Sequence, residues 1–145
     1  MLIRQAVSED ALPIQILLEQ LGYTLTLEQV SDRIAAFNRE HQRLVVAEKD
    51  NALVGCIGFG CYEHLVFPGR CCNIDTLIIE QNHRGMGIGT VLVQHAENYA
   101  RENKCVTVEL VTPNHRKDSG THKFYHGLGF KTHDEQDYTY LAKKI

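Results

Sequence analysis

Residues 77–96, LIIEQNHRGMGIGTVLVQHA, carry the clearest chemical signal in the chain. An apolar run ends at Glu80, a glycine-rich stretch follows, and helical spacing of apolar residues resumes after Gly89. Glycines 85, 87 and 89 let the backbone come close to a bulky anion, because no Cβ stands in the way. The N-terminus of the following helix adds free N–H groups and a partial positive charge. Arg84 brings a full charge to the rim. Such a turn suits a phosphate or pyrophosphate.

Three nucleotide-type readings compete for it. A P-loop requires GxxxxGK[ST], and no lysine follows these glycines. A dinucleotide fingerprint starting at Gly85 would need glycine at position 90, which is Thr90, and would stand near the start of a doubly wound fold. The third reading is the coenzyme A pyrophosphate turn, written [Q/R]-x-x-G-x-[G/A]. Arg84-Gly85-Met86-Gly87-Ile88-Gly89 matches it in full. A turn that merely joins strand to helix is the plain alternative.

The surrounding elements follow from periodicity. Leu2–Ala6 reads as a strand. Asp10 is placed to cap a helix that tolerates Pro13 in its first turn, buries Ile14, Leu17, Leu18 and Leu21, and ends at Gly22. Thr26 and Gln29 form a capping-box pair opening a second helix, with Leu27, Val30, Ile34 and Phe37 on one face. Arg43–Glu48 and Leu53–Tyr62 read as strands joined by a turn at Lys49-Asp50-Asn51. Gly55, Gly58 and Gly60 in the second of these imply a bulge or close packing against something large. Cys72–Glu80 is a strand, Gly87 to Asn103 a helix with Leu92, Ala96, Tyr99 and Ala100 inward, and Val106–Val111 a strand. A short helix to Gly127 and a strand over Tyr138–Ala142 complete the order βααβββαβαβ, an α/β or α+β domain with a mixed sheet.

In this order of elements and in its motifs, the chain resembles the GNAT family of acyl-CoA-dependent N-acyltransferases. The likeness covers nearly the whole chain. It rests on the two early helices, the β-hairpin, the strand LIIE, the RGMGIG turn and the block HKFYHGLGFK. That block matches the family's "fYxxlGF" signature at Phe124, Tyr125, Leu128, Gly129 and Phe130. The resemblance implies a mixed, mostly antiparallel sheet flanked by about four helices, with a splayed central strand pair. The strand holding Leu77, Ile78 and Ile79 would part from Val106–Val111, the pantetheine arm of acetyl-CoA would lie in that gap, and backbone groups at Ile78–Ile79 would hydrogen-bond its amides as an added strand does. Arg84, Gly85, Met86, Gly87, Ile88, Gly89 and Thr90 would hold its pyrophosphate. Tyr125 aligns with a tyrosine that many members place beside the thioester sulfur; a core tyrosine is the bland reading. Where many relatives carry Asn or Arg seven residues before that tyrosine and Ala four before it, this chain has Asp118 and Thr121. Asn114 is the candidate for the polar contact there.

The implied activity is N-acetyl transfer from acetyl-CoA to a primary amine, by direct attack in a ternary complex. An alkylammonium with a pKa near about 10 must lose a proton before attack, and the leaving thiolate gains from receiving one. Tyr125 is the expected acid. Asp75 is the expected base, because strand alternation puts it on the face of Leu77 and Ile79; an ion pair or strand-end role is the alternative. Glu80 points the other way. His64, in the loop EHLVFPGR, and His122, in the last helix, read as surface or packing histidines. No cysteine stands in a nucleophile setting, so no acyl-enzyme is expected. A non-catalytic acyl-CoA-binding sensor or partner module is the competing class.

Composition narrows the rest. The 145 residues form one expected domain over 1–145, 43% hydrophobic and 23% charged, long enough to bury a core without staples. Fifteen basic and eighteen acidic residues leave a net charge of −3, without the basic surplus of a nucleic-acid binder. Eight histidines are scattered and form no HExxH or CxxC-plus-HxxxH set, so no metal is expected. Five cysteines, an odd number without framework spacing, read as reduced thiols, with Cys71-Cys72 as buried strand residues. Charges at Arg4, Glu9 and Asp10 interrupt the first stretch, which is neither a signal peptide nor a membrane span. A cytoplasmic protein with a small-molecule or peptide amine acceptor and no membrane partner is the expectation. The half-apolar loop Glu63–Arg70 could line a pocket or the interface of a homodimer.

Overall fold

Local chemistry accounts for where most elements start and stop. The structure, a computed structural model, describes residues 1–66, 68–112, 120–132 and 143–144. By contacts the chain divides into two units, Met1–Val111 and Thr112–Ile145. The first unit holds β1 (Leu2–Gln5), α1 (Ala11–Gln20), α2 (Leu27–Phe37), β2 (Gln42–Lys49), β3 (Ala52–Glu63), β4 (Arg70–Ile79), α3 (Ile88–Glu102) and β5 (Cys105–Leu110). The second holds α4 (Thr121–Gly127). The expected strand over Tyr138–Ala142 lies outside the described residues.

Thr26 opens α2 as read from sequence: its Oγ1 accepts from the Gln29 N–H at 3.2 Å, while Gln29 Oε1 accepts from the Thr26 N–H at 2.9 Å. Asp50 and Asn51 both take positive φ, 52° and 60°, which is the two-residue turn that matches strand twist in a hairpin. Lys49 and Ala52 then face each other as the first pair of β2 and β3. The sheet runs β1-β2-β3-β4-β5, antiparallel throughout except for β4 and β5, which are parallel and joined through α3. This is the mixed, mostly antiparallel sheet with four helices that the resemblance implied.

Each face of the sheet is covered. Leu44, Val46, Cys56 and Ile78 pack with Ala11, Ile14 and Leu17 of α1 and Val30 and Ile34 of α2. On the other face Phe59 meets the ring of Tyr99 in α3, with centroids 5.3 Å apart. The glycines of β3 mark close packing on both sides: a Cβ on Gly55 would lie 2.9 Å from Ile79 Cδ1 and 3.3 Å from Leu92 Cδ1, and one on Gly58 would lie 3.0 Å from the Phe37 ring. Leu27, expected on the inner face of α2, stays exposed in its first turn. No helix among the described residues is long and apolar enough to cross a membrane.

Asp10 differs from its expected role. Residues Ser8–Asp10 make a 3₁₀ turn, and the Asp10 carboxylate gives no cap bond to α1. It is buried, accepts from the Val7 N–H at 2.8 Å, and takes both Arg4 guanidinium nitrogens, at 2.7 and 2.9 Å. Arg4 also donates to Glu48 at 3.0 and 3.1 Å, tying β1, the turn and β2 together. The bidentate pair wins over a cap contact because it gives the carboxylate two bonds from a full opposite charge where a cap gives one from a backbone N–H. Arg4 holds the Asp10 carboxyl below its ordinary value of 3.8, against the opposing effect of burial.

Asp10 therefore stabilises the fold fully above that ordinary value, and the contribution drains away as pH falls through the lower folded value. Asp10→Asn should cost about 1–3 kcal/mol at neutral pH. In urea unfolding series, the gap between wild type and variant should close as the medium becomes strongly acidic. A gap that is constant with pH would remove the ion pair as its cause.

Candidate active site

The site begins with an asymmetry in β4. Along one edge β4 pairs with β3 from Arg70 to Ile79. Along the other it pairs with β5 only from Arg70 to Ile74, the last partner being Leu110. Among the described residues, no strand takes over that edge from Asp75 to Ile79. The change falls at a bulge: Ile74 opposes Phe59 and Thr76 opposes Gly58, leaving Asp75 as the extra residue.

Backbone direction along this stretch follows from one bond. The Glu80 N–H donates to Val54 O at 2.9 Å, so residue 80 faces β3. Alternation then turns Ile78 toward β3 and leaves the N–H and C=O groups of Leu77 and Ile79 on the outer edge. Ile79 O accepts from Arg84 Nε at 3.1 Å. Asp75 is the extra residue between Ile74 and Thr76, so regular alternation does not fix its face. It lies exposed in the bulge, where Thr76 Oγ1 donates to its carboxylate at 3.1 Å.

Beyond β4 the chain makes a short 3₁₀ turn, Gln81–His83, then an extended residue, Arg84, then the glycine-rich turn. Gly85 and Gly87 have φ of 73° and 80°, a region that costs an L-residue roughly 1–2 kcal/mol. A Cβ added at either would meet nothing within 4 Å, so it is backbone conformation and not internal crowding that calls for glycine. The space in front of the turn is open. Gly87 is the N-cap of α3 and no side chain caps the helix, so the first N–H groups, from Ile88 onward, have no capping acceptor. Ile88 and Gly89 are buried, Thr90 half-buried, and Met86 and Arg84 exposed at the rim. The residues present thus suit a diphosphate: oriented N–H donors, a helix dipole, an adjacent guanidinium, and room for the ligand.

Sequence reasoning missed how this turn is held. Glu80 accepts from the Asn82 N–H at 2.9 Å and lies 2.7 Å from His83 Nδ1. The His83 contact, against the effect of burial, keeps the Glu80 carboxyl below its usual range. The Gln81 N–H donates to Gln20 Oε1 at 3.0 Å, pinning the turn to the end of α1. The Glu80–His83 spacing of three is a local signal for such a brace; the Gln20 contact has none, since it joins residues far apart in sequence.

In the second unit, Tyr125 is the buried residue of α4, its ring against Phe124 at 5.0 Å and Phe130 at 5.5 Å. Gly129, at φ 91°, turns the chain so that the Phe130 N–H returns to Tyr125 O at 3.1 Å. Here the FYxxLGF block is a helix end folded back on its own aromatic residues. His122 Nε2 lies 2.8 Å from Thr112 Oγ1. Asn114 lies outside the described residues. Asp75, Leu77, Ile79 and the 84–90 turn belong to one continuous stretch of the first unit, and Tyr125 to the second.

Comparison with known proteins bears on the fold and the family. A protein described as a transcriptional regulator from Bacillus halodurans C-125 superposes with a TM-score of 0.84 at 21% identity, over 99% of each chain. The aminoglycoside 6′-N-acetyltransferase of Acinetobacter haemolyticus reaches 0.81 at 17% identity, over 100% of this chain and 99% of its own. The glucosamine-6-phosphate N-acetyltransferase of Arabidopsis thaliana reaches 0.78 at 18% identity, over 99% and 97%. At these identities the likeness is one of fold. No curated protein sequence matches the chain. The family model described as acetyltransferase (GNAT) family matches residues 12–130, from the start of α1 to Phe130, and with it the chain belongs to the GNAT acetyltransferase family.

Proposed function

We propose that this chain moves an acetyl group from acetyl-CoA to a primary amine of a small molecule or peptide, by direct attack in a ternary complex. One observation carries the reading: the open, doubly left-handed glycine turn that caps α3 directly follows a strand edge that, among the described residues, has no strand partner beyond Ile74. The N–H groups of residues 84–90 and the Arg84 side chain would hold the pyrophosphate. Leu77 and Ile79, whose backbone groups face the outer edge, would pair with the pantetheine amides as an added strand does, with Ile78 anchoring the stretch to β3. Asn114 would add a polar contact. The bound thioester supplies the electrophilic acetyl carbon.

The chain's own residues then move protons. The exposed Asp75 carboxylate would draw the acceptor ammonium to the bulge and take its proton at Oδ. The Tyr125 hydroxyl would donate its proton to the departing sulfur. The acceptor class is supported by the two similar N-acetyltransferases named above, whose stated substrates are an aminoglycoside and an amino sugar phosphate. A cytoplasmic setting suits the five free thiols.

Three variants test the reading. Gly87→Val forces a β-branched residue into positive φ and puts bulk where the pyrophosphate would approach. Calorimetry should show acetyl-CoA binding lost while circular dichroism shows the fold kept; undiminished affinity in a folded variant would reject the turn as the binding site. Tyr125→Phe keeps the ring and removes the hydroxyl, so turnover should fall by about 10²–10⁴-fold with cofactor affinity little changed. Asp75→Asn should lower kcat/KM on the order of 10²-fold and reshape the acidic limb of its pH profile. Full activity and an unaltered profile in that variant would hand the proton to water. Tight acetyl-CoA binding by the wild type, without turnover on any amine offered, would favour the binding-module class instead.

A further inference from the structure

We propose that His64, Cys71 and Glu109 form a binding site for a divalent cation of the zinc class, separate from the acyl-transfer site. A ring nitrogen of His64, the Cys71 sulfur and a Glu109 carboxylate oxygen all lie within 4.8 Å of one another. They come from three stretches: the start of the β3–β4 connection, β4 and β5. Register explains the meeting. Tyr62 opposes Cys71 across β3 and β4, Cys71 opposes Thr107, and Asn73 opposes Glu109, so these side chains share one face of the sheet. Because Cys71 is four residues from Asp75, the cluster sits roughly 13 Å down β4 from the bulge.

The neighbours orient the three groups as outer partners orient metal ligands. Thr107 Oγ1 donates to Cys71 Sγ at 3.2 Å. The Tyr62 hydroxyl donates to Glu109 Oε1, and its ring lies edge-on to the His64 imidazole with centroids 4.9 Å apart. Cys71 is buried, His64 half-buried and Glu109 exposed, so the sulfur forms the floor of the cluster and the carboxylate its open side.

The donor set selects the ion. Thiolate, imidazole and one carboxylate suit zinc, whereas calcium and magnesium take oxygen ligands. Zinc–ligand bonds of about 2.0–2.3 Å set tetrahedral donors roughly 3.5 Å apart, a contraction that the exposed Glu109 side chain can supply. A water would fill the fourth position. On binding, the Cys71 S–H bond breaks and its proton goes to solvent, a metal–sulfur bond forms, and one metal-bound water leaves. No electron moves. With Cys71 and Glu109 each contributing a negative charge, the dication is neutralised.

The test is a Co²⁺ titration of the full chain, followed by the near-ultraviolet thiolate-to-cobalt charge-transfer band, with Zn²⁺ as competitor. The wild type should develop the band, gain intensity as pH rises, and lose it on adding Zn²⁺. His64→Gln and Glu109→Gln should each weaken binding, and Tyr62→Phe should weaken it about 10–100-fold. Cys71→Ser should abolish the band, while Cys105→Ser should leave it. Should the Cys71 variant fail to fold, the His64 and Glu109 variants decide. Absence of the band in wild type, or unchanged cobalt affinity in His64→Gln, would overturn the site.

Discussion

The unequal pairing of β4 is the constraint on which the rest of the molecule turns. A strand in mid-sheet ordinarily satisfies backbone groups on both edges, and among the described residues β4 has strand partners on both only as far as Ile74. Past that point its outer edge is left to other partners, and one of them is already an arginine from the glycine turn. The bulge at Asp75 is where the change occurs, because an extra residue bends a strand and increases its twist. Gly58 and Phe59, opposite the bulge, let β3 stay paired on the inner side while the outer side changes. The pantetheine and pyrophosphate contacts proposed on the first unit lie on the end of β4 beyond the bulge and the turn that follows.

That arrangement needs a firm backing. Gly55 lets Ile79 and Leu92 close over β3, so the end of β4 and the start of α3 share one packed contact. Ile78 and Leu92 are fully buried, one on each face of the sheet. Glu80, His83 and Gln20 then brace the turn between them. An anion site made of backbone N–H groups works only if those groups do not reorganise on binding, and the brace with the buried helix start provides this. The left-handed glycines concentrate conformational strain on residues that bear it at little cost.

Much of this was legible in the chain itself. The Thr26–Gln29 box, the Asp50-Asn51 turn, the span of α3 and the RGMGIG turn are all local, and each stands where periodicity and turn chemistry put it. Such features depend on a handful of adjacent residues, so tertiary context had little room to override them. Asp10 shows the limit of that rule. A helix-cap reading gives way to a guanidinium from β1, because a bidentate ion pair outweighs a single hydrogen bond from a backbone N–H.

The order of elements, the family likeness and the conformation of the phosphate-type turn can all be read along the chain, because each rests on runs of neighbouring residues. The point at which β4 loses its described partner, the bulge at Asp75, the pinning of the turn by Gln20, and the meeting of His64, Cys71 and Glu109 come from the folded sheet. These depend on register between strands distant in sequence. A one-residue slip reverses every side chain beyond it, and no local pattern reports where such a slip occurs.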